Sequence, residues 1–145
     1  MCKLVCMKHL LKYTRAVIIL VLLSTSVNAK TIQIDLGERS YPIFIGQGLF
    51  ESKNLIEKYI YKKKIAVVTN TTIEPLYLKQ ILKLVGESEV LTITLPDGEK
   101  HKNHESLNKI YDQLLSNKYG RDSLIIALGG GVVGDIAGYA AATYM

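Results

Sequence analysis

The sequence predicts an α/β fold, a parallel Rossmann-like sheet with helical crossovers and an N-terminal β-hairpin. Three observations predict it. Short apolar runs at 65–68, 90–95 and 124–128 have the length and β-branched content of buried strands. The segments after the first two runs carry apolar residues at helical spacing. Each run ends in a polar or glycine-rich loop. Alternation of strand and helix implies parallel strands joined by crossover helices.

Taken in order, Thr31 to Leu36 alternates, with Ile32, Ile34 and Leu36 on one face. Gly37-Glu38-Arg39-Ser40 reads as a turn and Tyr41 to Ile45 as a second short run, so the pair is an antiparallel hairpin at a sheet edge. Gly46-Gln47-Gly48 breaks the pattern, and a short helix is expected over 49–61. Lys62-Lys63-Lys64 reads as a solvated approach to the strand at Ile65 to Val68. Thr69-Asn70-Thr71-Thr72 then supplies polar caps for a helix. The apolar residues of that helix are Ile73, Leu76, Tyr77, Ile81, Leu84 and Val85, and Gly86 stops it. After the strand at Val90 to Leu95, Pro96-Asp97-Gly98-Glu99 forms a turn. The next helix puts Leu107, Ile110, Tyr111, Leu114 and Leu115 on one stripe and Asn108, Asp112 and Gln113 on the polar face, and Gly120 ends it. Leu124 to Leu128 is the last strand, followed by glycines and a helix of small residues from Val132.

The formal charge is +5 at pH 7, but four of the 18 basic residues and none of the 13 acidic ones lie in residues 1–29. The remaining 14 bases and 13 acids nearly cancel, which removes the main support for a nucleic-acid partner. Both cysteines, Cys2 and Cys6, also lie before residue 30, so the body holds neither a disulfide framework nor a cysteine metal site. Residues 1–15 are basic, Ala16 to Leu23 is an unbroken apolar run, and Val27-Asn28-Ala29 suits a small-residue cleavage site. This is the order of a secretory signal, with a run too short for a stable membrane span. The competing reading is an upstream extension, the natural protein beginning near Lys30. Residues 1–29 are therefore set apart from a domain at 30–145.

Gly129-Gly130-Gly131-Val132-Val133-Gly134-Asp135 follows a buried strand and opens a helix. Glycines there let a phosphate approach the main chain and leave N–H groups free at a positive helix end. Positions 129, 131 and 134 fit the dinucleotide fingerprint. The alternative is a packing turn, to which Gly134, Gly138 and Ala142 at four-residue spacing conform. Asn70 stands after the first buried strand and Asp97-Gly98-Glu99-Lys100-His101-Lys102 after the second. In a parallel sheet these loops and the glycine turn share one edge, where open α/β proteins bind ligands. Lys100 and Lys102 suit phosphate, and Asp97 and Glu99 suit ribose hydroxyls or an amide. The alternative for this loop is a solvated turn with a helix cap. Asp135 reads either as an acceptor for a nicotinamide carboxamide or as an acid compensating the dipole of a first helical turn. His101 and His104 have no third ligand nearby in sequence and read as loop histidines. No nucleophile–base pair stands out.

These residues resemble 3-dehydroquinate synthase. The resemblance is carried in order by Leu36-Gly37-Glu38-Arg39-Ser40-Tyr41-Pro42-Ile43, Val68-Thr69-Asn70, Pro75-Leu76-Tyr77, Leu95-Pro96-Asp97-Gly98-Glu99-Lys100, Gly120-Arg121-Asp122, and Ala127-Leu128-Gly129 through Asp135. It implies a dehydroquinate synthase-like fold and a cytoplasmic lyase of the shikimate pathway. The enzyme turns 3-deoxy-D-arabino-heptulosonate 7-phosphate into 3-dehydroquinate and phosphate, with catalytic NAD and a divalent metal, zinc or cobalt. It further implies a homodimer when complete. Carried over by position, the cofactor contacts are Asn70, Asp97, Gly98, Glu99, Lys100, His101, Lys102, Gly131, Val132, Val133, Gly134 and Asp135. The resemblance places the family's metal ligands and basic substrate residues beyond Met145. No catalytic or metal residue is therefore expected within this chain, and turnover by residues 30–145 alone is not expected. The alternatives are the NAD half of another sugar-phosphate cyclase or of a metal-dependent polyol dehydrogenase, and a non-catalytic NAD-binding remnant. That remnant would be exported if residues 1–29 are a true signal, and its helix from Val132 would be exposed.

Overall fold

Every residue from Ile65 to Asn70 is buried, and this strand is the axis of the observed architecture. The computed structural model describes residues 2–8, 16–21, 30–52, 55–61 and 63–145, of which 2–8, 16–21 and Lys58 are described as backbone alone. In chain order the strands are β1 (Cys2–Lys8), β2 (Ala16–Val21), β3 (Lys30–Ile34), β4 (Tyr41–Gly46), β5 (Ile65–Asn70), β6 (Val90–Leu95) and β7 (Leu124–Leu128). The helices are α1 (Glu57–Ile60), α2 (Glu74–Val85), α3 (His104–Ser116) and α4 (Gly131–Thr143). Among the described residues the strands form one seven-stranded sheet in the order β3-β4-β1-β2-β7-β5-β6.

The α/β expectation holds in its centre. β5 pairs in parallel with β6 on one side and with β7 on the other. Side chains of β5 alternate between two cores, as the pleat requires. Ile65 and Val67 join Ile126, Leu128, Ile81, Leu84 and Val85 under α2. Ala66 and Val68 join Ile93, Leu95, Ile110, Leu114, Ile136 and Ala137 under α3 and α4. β5 and β7 are thus covered on both faces, which is why they read as continuous apolar runs.

The hairpin lies at the sheet edge as expected, β3 pairing antiparallel with β4. Its turn is a 3-10 turn, Gly37–Arg39, with Gly37 at φ +63°. Ser40 Oγ locks the turn by accepting from the Leu36 N–H at 2.9 Å. The helix expected over 49–61 is instead a 3-10 turn, Leu49–Glu51, and the short α1, with residues 53 and 54 outside the described residues.

Two apolar stripes needed correction. Leu76 is 59% exposed, because it stands about 140° around α2 from Ile81, and Leu78 packs instead. Leu115 is 55% exposed at the flank of a stripe centred on Ile110 and Leu114. Lys64 is engaged rather than merely solvated. Its Nζ lies 2.7 Å from Glu89 and over the Tyr119 ring. Lys62 is outside the described residues.

The helix after the glycines is buried along one face, while Asp135 and Tyr139 on the other are exposed. Val133, Gly134, Ile136, Ala137, Ala140 and Ala141 are buried, and α4 lies against β7, α3, β2 and β5. Small residues let it approach the sheet closely. Tyr144 closes this end by donating its hydroxyl to Tyr119 O at 2.6 Å.

Most of the expected leader lies outside the described residues. The parts that are described, β1 and β2, are strands inserted between β4 and β7, β2 running parallel to β7. An apolar run such as Ala16–Val21 suits a buried strand as well as the apolar centre of a signal. Among the described residues no helix is long and apolar enough to cross a membrane.

Candidate functional site

Because β5, β6 and β7 are parallel, the loops that leave their C-terminal ends meet along one edge. These are the loops singled out from the sequence, and side chains tie them together in pairs.

The first tie joins the loops after β5 and β6. Asn70, the last residue of β5, is 7% exposed. Its Oδ1 accepts from the Ile73 N–H at 2.8 Å, closing the turn that leads into α2. Its Nδ2 donates to Asp97 Oδ1 at 2.7 Å. Asp97 Oδ2 accepts from Thr72 Oγ1, also at 2.7 Å. Gly98 follows at φ +107°, a conformation that L side chains rarely adopt. Glu99–His101 is then a 3-10 turn, and Asn103 caps α3 by accepting from the Ser106 N–H at 3.0 Å.

The second tie joins the loop after β6 to α4. Lys102 Nζ lies 2.8 Å from Asp135 Oδ2 and 3.4 Å from Glu99 Oε1. The hydrogen bond to Asp135, and then that to Glu99, holds the Lys102 ammonium above the usual lysine range.

The glycine turn divides into two kinds of position. A Cβ at Gly129 would stand 2.8 Å from Val133 Cγ2 and 2.9 Å from Val133 Cβ, so here glycine is required by packing. At Gly130 and Gly131 a Cβ would meet nothing within 4 Å. Both residues are exposed and leave open space above the turn. Packing therefore requires glycine at position 129 and does not require it at 130 or 131. No side chain caps α4. Gly134 N–H donates to Gly130 O at 3.0 Å, whereas helix geometry leaves the N–H groups of Gly131, Val132 and Val133 without an acceptor inside the helix. Such an end attracts an anion.

Of the expected contact residues, Asn70 pairs with Asp97, and Glu99, Lys102 and Asp135 form a separate ion-pair cluster. Lys100 is exposed, and its carbonyl accepts from Asn103 Nδ2. His101 is half-buried, and the Val133 and Gly134 side of the turn faces the core. Asp135 lies past the first turn of α4, which contains no acid, so the dipole-compensating alternative fails. Thr72 is the residue that sequence reasoning left among generic caps. Its signal was its place two residues after Asn70 in a polar tetrad. Among the described residues no three His, Cys, Asp or Glu side chains converge as metal ligands would.

Comparison with known proteins bears on this arrangement. Residues 92–145 match the family model described as 3-dehydroquinate synthase N-terminal. The chain is 50% identical over 115 residues to the 3-dehydroquinate synthase of Pseudomonas entomophila (strain L48), covering 79% of this chain and 32% of that protein. It is 52% identical over 114 residues to the 3-dehydroquinate synthase of Shewanella sp. (strain MR-4), covering 78% of this chain and 32% of that protein. It therefore spans about a third of the length of the curated relatives it matches. Among solved structures, a crystal structure of 2-deoxy-scyllo-inosose synthase complexed with carbaglucose-6-phosphate, NAD+ and Co2+ superposes with a TM-score of 0.67 at 21% identity. That match covers 79% of this chain and 32% of the other, and at this identity it shows a shared fold.

Proposed function

The chain belongs to the 3-dehydroquinate synthase family, and on that premise we propose that the loops after β5, β6 and β7 form the NAD-binding half of such an enzyme. The proposed reaction, for the whole protein, converts 3-deoxy-D-arabino-heptulosonate 7-phosphate to 3-dehydroquinate and phosphate. The proposed domain is 30–145. The observation that carries the reading is the uncapped N-terminus of α4 beneath the open space at Gly130 and Gly131, connected through Asp135 and Lys102 to the Asp97 loop.

The residues fit the cofactor. The N–H groups of Gly131, Val132 and Val133 would hold the pyrophosphate, where a side chain at 130 or 131 would intrude. Lys102 and Lys100 supply positive charge beside it. Asp135, one helical turn further on, would accept from the carboxamide, and Glu99 from ribose hydroxyls. Asn70 and Asp97 hold the loop rather than offer free groups, since both Asp97 oxygens accept from Asn70 and Thr72. NAD held by these residues would supply reversible hydride transfer. Among the described residues no three-ligand group would hold the divalent metal of the proposed enzyme. A cytoplasmic setting and a homodimer belong to the same proposal.

Phosphate release from 3-deoxy-D-arabino-heptulosonate 7-phosphate by the whole protein tests it. Release that depends on NAD+ is expected. Release indifferent to NAD+, or none, would overturn the reaction.

A further inference from the structure

Thr72 holds one of the two oxygens by which the loop after β6 is fixed. A carboxylate bonded at one oxygen can turn about that bond, whereas donors on both oxygens fix its plane. Asp97 is held in the second way, by Asn70 Nδ2 and Thr72 Oγ1, each at 2.7 Å. Asn70 is itself oriented, because its Oδ1 accepts from the Ile73 N–H and only its amide nitrogen is left for Asp97. Asp97 leads directly into Gly98 and the 3-10 turn Glu99–His101, and the next residue, Lys102, reaches Asp135 on α4. The orientation of one carboxylate is thus passed along a short, turned segment to the groups that face α4.

We propose that Thr72 is a positioning residue for the dinucleotide site. Its hydroxyl fixes Asp97, and through Asp97 it sets Glu99 and Lys102 against the N-terminus of α4. This rests on the NAD reading above. Thr72 is exposed and outside both apolar cores, so its hydroxyl serves the loop and not the core.

The test is calorimetric titration of NAD+ into the full chain and into Thr72→Val, Thr72→Ser, Asp97→Ala and the Thr72→Val/Asp97→Ala double variant, with the unfolding midpoint of each. Thr72→Val is expected to weaken NAD+ binding about tenfold, the order of one hydrogen bond to a charged group. Its midpoint should stay within about 2 °C of the parent. Thr72→Ser should restore binding, and Thr72→Val should add nothing once Asp97 is gone. Unchanged binding in Thr72→Val, failure of serine to restore it, or a midpoint drop that accounts for the loss overturns the proposal. So does an undiminished effect of Thr72→Val in the Asp97→Ala background, which would mean that Thr72 touches the cofactor itself. Absence of NAD+ binding by the parent chain would instead sink the NAD reading, and the role of Thr72 with it.

Discussion

Lys102 and Asp135 form an ion pair of 2.8 Å that spans from the loop after β6 to the helix after β7. Two carboxylates, Asp135 and Glu99, share this one ammonium, so part of its charge is already engaged before any ligand arrives. Lys102→Met should weaken NAD+ binding about tenfold or more by removing the charge beside the pyrophosphate. Its effect on stability should be small, since the pair is exposed and screened. The Lys102 pKa is raised by Asp135 and Glu99. A raised folded-state value contributes stability that is fully present below the ordinary 10.5 and is lost as pH rises through the folded value. The difference in unfolding midpoint between parent and Lys102→Met should therefore be flat from about pH 7 to 9 and shrink only in stronger alkali. A difference that changes across neutrality would contradict the pairing.

Two glycines of one turn should respond in opposite ways. Gly129→Ala forces a Cβ to within 2.9 Å of the branched Val133 side chain and should destabilise the protein by about 1–3 kcal/mol. Gly131→Ala meets no atom within 4 Å and should leave stability unchanged or raise it by up to about 1 kcal/mol. Chemical denaturation of both variants reads this difference.

Thr69 Oγ1 is buried and, among the described residues, has no hydrogen-bond partner. Thr69→Val keeps the shape and removes the unsatisfied hydroxyl, so stability should rise by about 1 kcal/mol. A fall in the denaturation midpoint would show that the hydroxyl has a partner after all.

Tyr119 gives an alkaline signature at the opposite end of β5. Its hydroxyl donates to Ile65 O at 3.2 Å, and the side chain is 2% exposed. Burial, and then the Glu89 charge, raises its pKa above 10.0. The unfolded tyrosine ionises first, so stability is intact below that value and falls as pH rises through the folded one. Tyr119→Phe should cost about 1 kcal/mol at neutral pH and lose less stability than the parent in alkali. Parallel pH profiles for the two proteins would count against the burial argument.

The sheet centre was legible because strands buried on both faces must be apolar throughout, and Ile65–Val68 and Leu124–Leu128 are. Asn70, Asp97 and the glycines were legible because they follow such strands immediately. Leu76 misled because an apolar residue one place off a helical stripe looks like part of it. Ala16–Val21 is ambiguous because a sheet strand and the apolar centre of a signal share one composition. Thr72 was hidden for a different reason. Its partner Asp97 stands 25 residues away in sequence, and its place two residues after Asn70 marks only a polar cap.

If the three loops make one dinucleotide site, a side chain at Gly131 should obstruct it. Calorimetric titration of NAD+ into the parent chain and into Gly131→Ala separates binding from folding, since the added methyl group meets no protein atom within 4 Å. Saturable one-to-one binding by the parent is expected, with binding at least about tenfold weaker in a variant of undiminished stability. Equal binding by the two proteins, or none by the parent, would contradict it.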